Sequence, residues 1–572
     1  MLQALSSGSS QQEPTSHGQE ALTTSGPEEK RTTEATTAAE NAHPTHSTKE
    51  RVESPETNDA EPEQAYPSKW KVALTTLAVC LCVFCMALDN TIIATAIPKI
   101  TDQFNSLNDV GWYGSAYPLT TAAVTLIYGK LYTFYSIKWV YMLALFFFEL
   151  GSFVSGITPN SEGLIVGRAI AGLGAAGIVS GSIIIVGTIV PLRLRPTFTG
   201  LVFCVYGLSS ILGPLLGGAF TDHVSWRWCF YINLPIGLVS VIFLVFFFKS
   251  PKSVKQAAGV KAQLLEMDLP GTFLFLPTIV CLLLALHWGG STYSWGNGRI
   301  IALFVVFGVL LICFGLIQVW QQDKATLPPR LLKNRNVAGA SWYALSFTAA
   351  FFVMTYYLPI WFQAIKGVSA TKSGIMNLPA IVGLSLFSIV SGGLVSVVGY
   401  YTPFMLAATT LATVGIGLLT TLEPDSGPGK WIGYQAMFGI GAGLGFQQAL
   451  TTVQASLPAV DVPHATAIIT FAQSLGGAIF ISVGENVFSN QLIRNLEADA
   501  PSVNAAEIFK AGATMLRRVV PEDMLSVVLN SYNKAVTETF YVAVAMCGLS
   551  LFGALVLEWR SVKGRSMEMA AV

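Results

Sequence analysis

Fourteen stretches of about twenty mostly apolar residues recur along this chain of 572, and they constrain its fold more tightly than any single motif. A hydrocarbon core roughly 30 Å thick takes about 20 helical residues to cross, so each stretch is a candidate span. They cover 72–97, 113–133, 139–157, 164–190, 200–220, 231–248, 270–288, 300–320, 340–363, 374–396, 402–421, 432–450, 465–488 and 539–557, with charged or Gly/Pro-rich breaks between them. The thirteenth is the least apolar, because it holds Gln473, Glu485 and Asn486. A chain that is 52% hydrophobic and 12% charged cannot hide this surface in a water-soluble domain. The expected class is an all-α polytopic membrane protein.

The formal charge of zero conceals an asymmetry. Residues 1–68 carry 12 Asp and Glu against 4 Lys and Arg, leaving 29 basic against 21 acidic residues downstream. That tail is rich in Ser, Thr, Glu and Pro and has no apolar signal core, so it is expected to be disordered and uncleaved. With the tail placed in the cytoplasm, the inner connections hold seventeen Lys and Arg and the short outer loops six, which puts both termini inside. Trp112, Trp226, Trp228, Trp288, Trp295 and Trp431 then fall near outer ends, where amphipathic rings favour the headgroup layer. The eight cysteines lie almost all in apolar runs and imply no disulfide framework. Cys82 and Cys85 match C-x-x-C, but in a lipid-length helix without the βαβ setting of a redox motif.

Several motifs carry more specific information. Gly129–Lys138 (GKLYTFYSIK) is a glycine-led, partly basic turn between the second and third spans, and Gly392–Tyr401 (GGLVSVVGYY) echoes it between the tenth and eleventh. Such an echo is expected where two homologous bundles face each other across a central path. The fourth span contains RAIAGLG from Arg168, the fifth ends in GLSSILGPLLGG from Gly207, and WRWCFYINLPIG follows from Trp226. With LDNTIIATAIP from Leu88, these motifs resemble, in order and spacing, the signatures of the major facilitator superfamily. The branch they resemble is that of the fourteen-span drug:proton antiporters, and among these the fungal multidrug and toxin efflux pumps. The likeness covers roughly 70–560. It implies the major facilitator fold with 14 transmembrane helices: a six-helix bundle over 69–250, two linker helices over 251–335, and a second bundle over 336–560. An outer loop at about 489–538 and cytoplasmic tails at 1–68 and 561–572 complete that expectation. The resemblance also implies proton-driven export by alternating access, with conformational roles for Gly129, Lys130, Lys138, Gly207, Gly213, Pro214, Gly217 and Gly218. One departure stands out: Thr133 occupies a position that is usually acidic, which weakens a charge-relay lock at that turn.

Asp89 sits inside the first span, where an ionised carboxylate costs on the order of a few kcal/mol. It needs a partner, a water-filled cavity or a proton. Arg168 is placed at comparable depth in the fourth span, so the two are expected to be coupled, either as a proton switch or as a static packing pair. Glu149, in FFFELGS, is a second proton-site candidate, and Glu485 ranks third. For cargo, Tyr117, Trp342, Tyr356, Trp361, Gln447 and Gln473 offer aromatic surface with sparse polar anchors, which suits a bulky amphipathic molecule.

Other classes fare worse. The run from Gly172 to Gly177 fits G-x-G-x-x-G inside an apolar helix with no preceding strand, so it is read as helix packing. No G-x-x-x-x-G-K-[ST] occurs and the six histidines form no ligand set, so neither ATP drive nor a metal is expected. The expectation is a monomer in the plasma or vacuolar membrane that moves small molecules and protons, with no cofactor, no nucleic-acid partner and no enzymatic activity. Its rivals are an uptake or vacuolar carrier of iron chelates or basic amino acids on the same fold, a channel, or a membrane-embedded enzyme.

Overall fold

The computed structural model describes residues 67–104, 109–250, 267–290, 293–501, 503, 516–517 and 519–563. The expectations for the acidic tail, the centre of the outer loop and the last residues lie outside the described residues. The described helices belong to one unit, Gln64–Val572.

The first bundle is built from α1 (Lys69–Phe104), α2 (Val110–Phe134), α3 (Ile137–Ile157), α4 (Ser161–Ile189), α5 (Arg195–His223), the short α6 (Trp228–Tyr231) and α7 (Asn233–Phe247). Two linker helices follow, α8 (Leu269–Trp288) and α9 (Gly298–Gln321). After α10 (Pro329–Lys333) come α11 (Arg335–Ala364), α12 (Ala370–Met376), α13 (Leu378–Val398), α14 (Thr402–Leu419), α15 (Pro428–Gly445), α16 (Gln448–Ser456), α17 (Val462–Asp499) and α18 (Glu522–Val556). Among the described residues, twelve helical stretches are long and apolar enough to cross a membrane. The second and twelfth expected spans form helices α2 and α15–α16 but are not among those twelve. Both regions are largely enclosed by neighbouring helices, so they tolerate tyrosines, threonines and glycines that a lipid-facing span would not.

Helix neighbours repeat between the two halves. In the first, α1 packs on α5 and α7, and α4 on α2 and α3; in the second, α11 packs on α17 and α18, and α15 on α13 and α14. The halves meet along two seams, α2 against α17 and α5 against α13. In the repeat α2 corresponds to α13 and α5 to α17, so one seam is the two-fold image of the other. This is the geometry expected of duplicated bundles facing each other.

The extra helices behave differently. Only 11% of the most apolar 18-residue stretch of α9 is fully buried, against 78% for that of α4, so α9 packs chiefly on α8 and is open to the surroundings elsewhere. The end of this pair that leads into the second bundle is fixed by Asp268, a buried residue in the left-handed region (φ 47°). Its carboxylate accepts from Gly271 N (2.7 Å), Gln318 Nε2 (3.0 Å), Gln321 Nε2 (2.6 Å), Thr326 N (2.7 Å) and Thr326 Oγ1 (2.8 Å). It thereby caps α8, clamps α9 and orients the segment entering the second bundle.

Small residues set the closest approaches. A Cβ on Gly151 would collide with the backbone of Ala171, and one on Gly174 with the backbone of Phe148, so α3 and α4 touch through their main chains. Nothing lies within 4 Å of the corresponding position on Gly315 of α9. Gly174→Val is therefore expected to destabilise the protein by about 1–3 kcal/mol or more, and Gly315→Val hardly at all. Thermal unfolding in detergent checks this, and equal effects of the two would contradict the packing.

Candidate functional site

The polar trio in α1 fastens that helix to three others. Asp89 and Arg168 of α4 are both fully buried and form an ion pair through Oδ2 and Nη1. The guanidinium also donates from Nη1 to Asp89 O and from Nε to Tyr113 O, each at 3.2 Å, and lies 4.6 Å from the centre of the Tyr117 ring. Asn233 of α7 donates to Asp89 Oδ1 (3.3 Å) and to Ser152 Oγ (3.1 Å). Asn90 bonds to Tyr206, and Thr91 Oγ1 lies 3.4 Å from Ser209 O, both on α5. Arg168 Nη2 is buried and finds no partner among the described residues, so the two N–H donors of that nitrogen are unused.

The glycine motif of α5 makes room for this contact. A Cβ on Gly213 would strike Thr91 and one on Gly217 would strike Thr95, while Gly218 faces open space. Pro214 stands between them inside the helix and removes a backbone donor. Gly207 serves the seam instead: a Cβ there would come within 2.5 Å of Ser385 Oγ on α13.

Glu149, half-buried with both carboxylate oxygens enclosed, is a second acid beside this cluster. Neither carboxylate oxygen has a hydrogen-bond partner among the described residues, and the side chain lies against Gly237 of α7, where a Cβ would overlap it. Asp89 is close enough to act on it electrostatically. A buried carboxyl without a partner is a natural holder of a proton. Glu485 lies apart, near Tyr356 and Tyr357.

At the end of the bundle where α1 begins, the two halves are latched together twice. Gly129 of α2 approaches the first turn of α17, where its Cβ would lie 2.5 Å from Ala467 Cβ and 3.5 Å from Pro463 O. Thr133 Oγ1 donates to Gly129 O (2.9 Å) and lies 2.8 Å from His464 Nδ1. The echo motif repeats this on the other seam. Gly392 of α13 meets Pro196 in the first turn of α5, Ser396 Oγ donates to Gly392 O (2.8 Å), and the hydroxyls of Ser396 and Thr197 are 2.9 Å apart. The hydroxyl at Thr133 thus has an exact positional counterpart, four residues beyond a glycine that sits over a proline. Lys130 Nζ donates to Lys324 O in the linker, and Lys138 Nζ to Val245 O (2.6 Å) and Phe248 O (3.1 Å) at the end of α7. Arg330 adds a bidentate bond to Asp461 (2.9 and 2.8 Å) at the start of α17, which holds the guanidinium's pKa above its ordinary value.

The cargo candidates separate into groups. Gln447 and Gln473 lie buried around residue 446, with Gln447 Nε2 on Ser388 O (2.9 Å), Gln473 Nε2 on Phe446 O (3.3 Å), and Gln447 Oε1 unpaired among the described residues. Phe446 rests on Phe203 of α5 (5.2 Å between centroids) and on Phe351 of α11 (5.1 Å), so aromatic rings from both halves meet there. Trp361 is buried with Nε1 on Asn533 Oδ1 (2.7 Å), and Tyr117 belongs to the ion-pair cluster. Trp342, 45% exposed with Nε1 on Leu549 O, and Tyr356, 55% exposed and beside Glu485, are not buried with the two glutamines. Sequence reasoning missed Asn233, Phe203 and Phe446. An asparagine inside an apolar run was the available signal for Asn233; the two phenylalanines had none, because phenylalanine is ordinary in a span.

The model of the Major Facilitator Superfamily matches residues 79–481. The chain is 60% identical to the MFS-type transporter astH of Aspergillus oryzae, covering 88% of this chain and 89% of that protein. It is 58% identical to the efflux pump roqT of Penicillium rubens (86% and 92% covered), and 52% identical to the MFS-type efflux pump MFS1 of Trichophyton rubrum (88% and 94% covered). Its fold is similar to that of the human organic anion transporter MFSD10 (TETRAN), with a TM-score of 0.52 at 13% identity over 82% of this chain and 99% of the other. The proton:xylose symporter XylE gives 0.53 at 14% identity, covering 85% and 95%.

Arg168→Ala leaves Asp89 buried without its counter-charge and is expected to cost about 3–5 kcal/mol, much of which the double change with Asp89→Asn restores. Thermal unfolding of the three variants in detergent measures this; a double variant no better than Arg168→Ala would contradict the pairing. Gly392→Val is expected to prop the latched end open, read as faster hydrogen exchange over residues 190–200, and unchanged exchange would count against the latch.

Proposed function

Because the chain belongs to the major facilitator superfamily and is a membrane transporter rather than an enzyme, we propose that it exports bulky amphipathic organic compounds, such as drugs, toxins or secondary metabolites, in exchange for protons. The observation that carries this reading is the sealed cluster around Asp89 and Arg168, with the orphan carboxyl of Glu149 beside it. A carboxylate paired in one arrangement of the helices and separated in another has two affinities for a proton. If rocking of the halves changes that separation, proton binding and cavity orientation become linked. The efflux direction is supported by relatives named as efflux pumps. The cargo class is supported by the aromatic rings around Phe446 and the unpaired oxygen of Gln447.

On this reading both termini are cytoplasmic, the protein works as a monomer in the plasma membrane, and the latched end faces the cytoplasm. The described arrangement is then the one that opens outward. Gly129, Lys130, Lys138, Gly207 and the Gly213–Gly218 bend govern the change of access, and Gln447 and Gln473 contact cargo.

The test is expression in a drug-sensitive host challenged with a compound panel, with and without a protonophore. The wild-type protein is expected to confer resistance that the protonophore abolishes. Asp89→Asn, which keeps the shape and one of the two acceptors that Arg168 and Asn233 use, is expected to be less stable yet to reach the membrane folded, and to lose at least tenfold in uncoupler-sensitive export. Normal export by that variant would remove Asp89 from the coupling mechanism.

A further inference from the structure

The two seams that join the halves are images of each other, but they are not equally fastened. Along the α2/α17 seam, α8 packs on both walls. At one end Trp288 of α8 meets Trp112 of α2 edge-on (6.1 Å between centroids), and Trp295, in the loop before α9, donates from Nε1 to Asn486 Oδ1 of α17 (3.0 Å). Between the ends, Phe275 of α8 lies against Phe471 of α17 (5.3 Å) and Phe314 of α9 (5.2 Å). At the latched end Lys130 of α2 bonds to Lys324 O and Arg330 to Asp461, while the Asp268 clamp ties the linker pieces to one another. The linker is therefore a strap over this seam, and separating α2 from α17 breaks several of its contacts at once.

The α5/α13 seam has no helix pair laid along it among the described residues; it is bordered by the short segments that lead into its own helices, Leu192–Leu194 and α12. Its rim is open and apolar. Leu201 and Leu208 stand exposed beside Gly200 and Gly207, and Leu386 and Ile389 beside Ser385 and Ser388, whereas α2 has no exposed large apolar side chain among the described residues. The contact itself is made of small groups. A Cβ on Gly200 would strike Ser388 O, and one on Gly207 would strike Ser385 Oγ. The polar bonds across it are the Thr197–Ser396 hydroxyl pair (2.9 Å) and Arg193 Nε on Ser396 O (3.3 Å), neither of them an ion pair. Gly200 and Gly207 lie roughly 8 and 18 Å from the start of α5, within the half of a layer about 30 Å thick that adjoins the latched end. Directly behind stand the cargo candidates. The Cβ position of Gly200 is 3.1 Å from Oε1 of Gln447, a fully buried side chain whose oxygen has no partner among the described residues, and Phe203 carries the contact with Phe446.

We propose that bulky apolar cargo passes from the bilayer into the protein through the α5/α13 seam, which parts at the latched end while the strapped α2/α17 seam serves as the hinge. The route rests on the export reading above, which places the latched end at the cytoplasmic leaflet. A compound dissolved in that leaflet meets an apolar rim, then small side chains that separate at the loss of about 1 kcal/mol per neutral bond, then an amide oxygen able to accept from an N–H or O–H of the cargo. At the other seam it meets the linker pair.

The full chain in lipid nanodiscs receives one added cysteine in either seam, Ser388→Cys or Ala467→Cys, at positions that are both buried. Each variant, checked for a wild-type Tm, is treated with pyrenylmaleimide, an apolar aromatic reagent that partitions into the bilayer, and the modified site is read by peptide mass spectrometry. Ser388→Cys is expected to react about tenfold faster than Ala467→Cys, because its seam opens more often and more widely. Arg330→Gln combined with Trp295→Phe frees two surface fastenings of the strap and should narrow that difference. Equal rates, a faster reaction at Ala467→Cys, or no reaction at either position would overturn the proposal, as would a difference unchanged by loosening the strap. A charged, water-soluble maleimide that modifies Ser388→Cys as fast as the pyrenyl reagent would overturn the route from lipid. Resistance in the compound panel is scored separately, so a failure of export is distinguishable from a failure of the route.

Discussion

An ion pair sealed inside an apolar helix bundle is the constraint on which the other features depend. Desolvating either Asp89 or Arg168 alone would cost several kcal/mol, so each residue is costly to bury without the other, and both together require a shell of further partners. That shell recruits Asn233 from α7, the carbonyl of Tyr113 and the ring of Tyr117 from α2. Glycines at 213 and 217 let α5 close over the same stretch of α1. Five helices are thus organised around one charge pair, and a change in its protonation is felt by all of them. This is the physical basis for reading the cluster as a coupling device rather than as a brace alone.

On the proposed mechanism, the two latches give a change of access something to act on. Each consists of a glycine, a hydroxyl one turn later and a proline-led helix start on the opposite half, and the contact across is hydroxyl to imidazole in one and hydroxyl to hydroxyl in the other, with no carboxylate in either. Neutral contacts of this kind are worth on the order of 1 kcal/mol apiece, strong enough to favour a closed end and weak enough to release it. The threonine at position 133, which looked like a defect in a charged lock, is one half of a matched pair. The linker strengthens this end independently, through Lys130 on Lys324 and Arg330 on Asp461.

Much of this was legible in the sequence because a bilayer leaves few options. Span length, the depth of Asp89 and Arg168, and the echo of the glycine turn follow from helical rise and from the cost of bare charge in lipid. The echo marked a repeat, and the structure gives both copies the same task. Other features depend on contacts that no local pattern encodes. Asp268 gathers donors from α8, α9 and the segment beyond, and only the folded arrangement of those pieces distinguishes it from an ordinary loop aspartate. Trp342 and Gln447 were equally eligible as cargo contacts from their chemistry; which of them faces outward is decided by how α11 and α18 pack, far apart in sequence. The apolarity of α2 and α15–α16 fell short of the other spans for a related reason, since helices covered by protein are free of the lipid's demand.

The central claim is that proton exchange at the Asp89 cluster is linked to cargo. The most direct measurement is proton release or uptake in weakly buffered solution, followed with a pH-sensitive dye, when the purified protein binds a compound identified by the resistance panel. The account predicts a stoichiometric proton change with wild-type protein that vanishes in Asp89→Asn while the compound still binds. Binding with no proton change in the wild type, or the same change in both proteins, would contradict it.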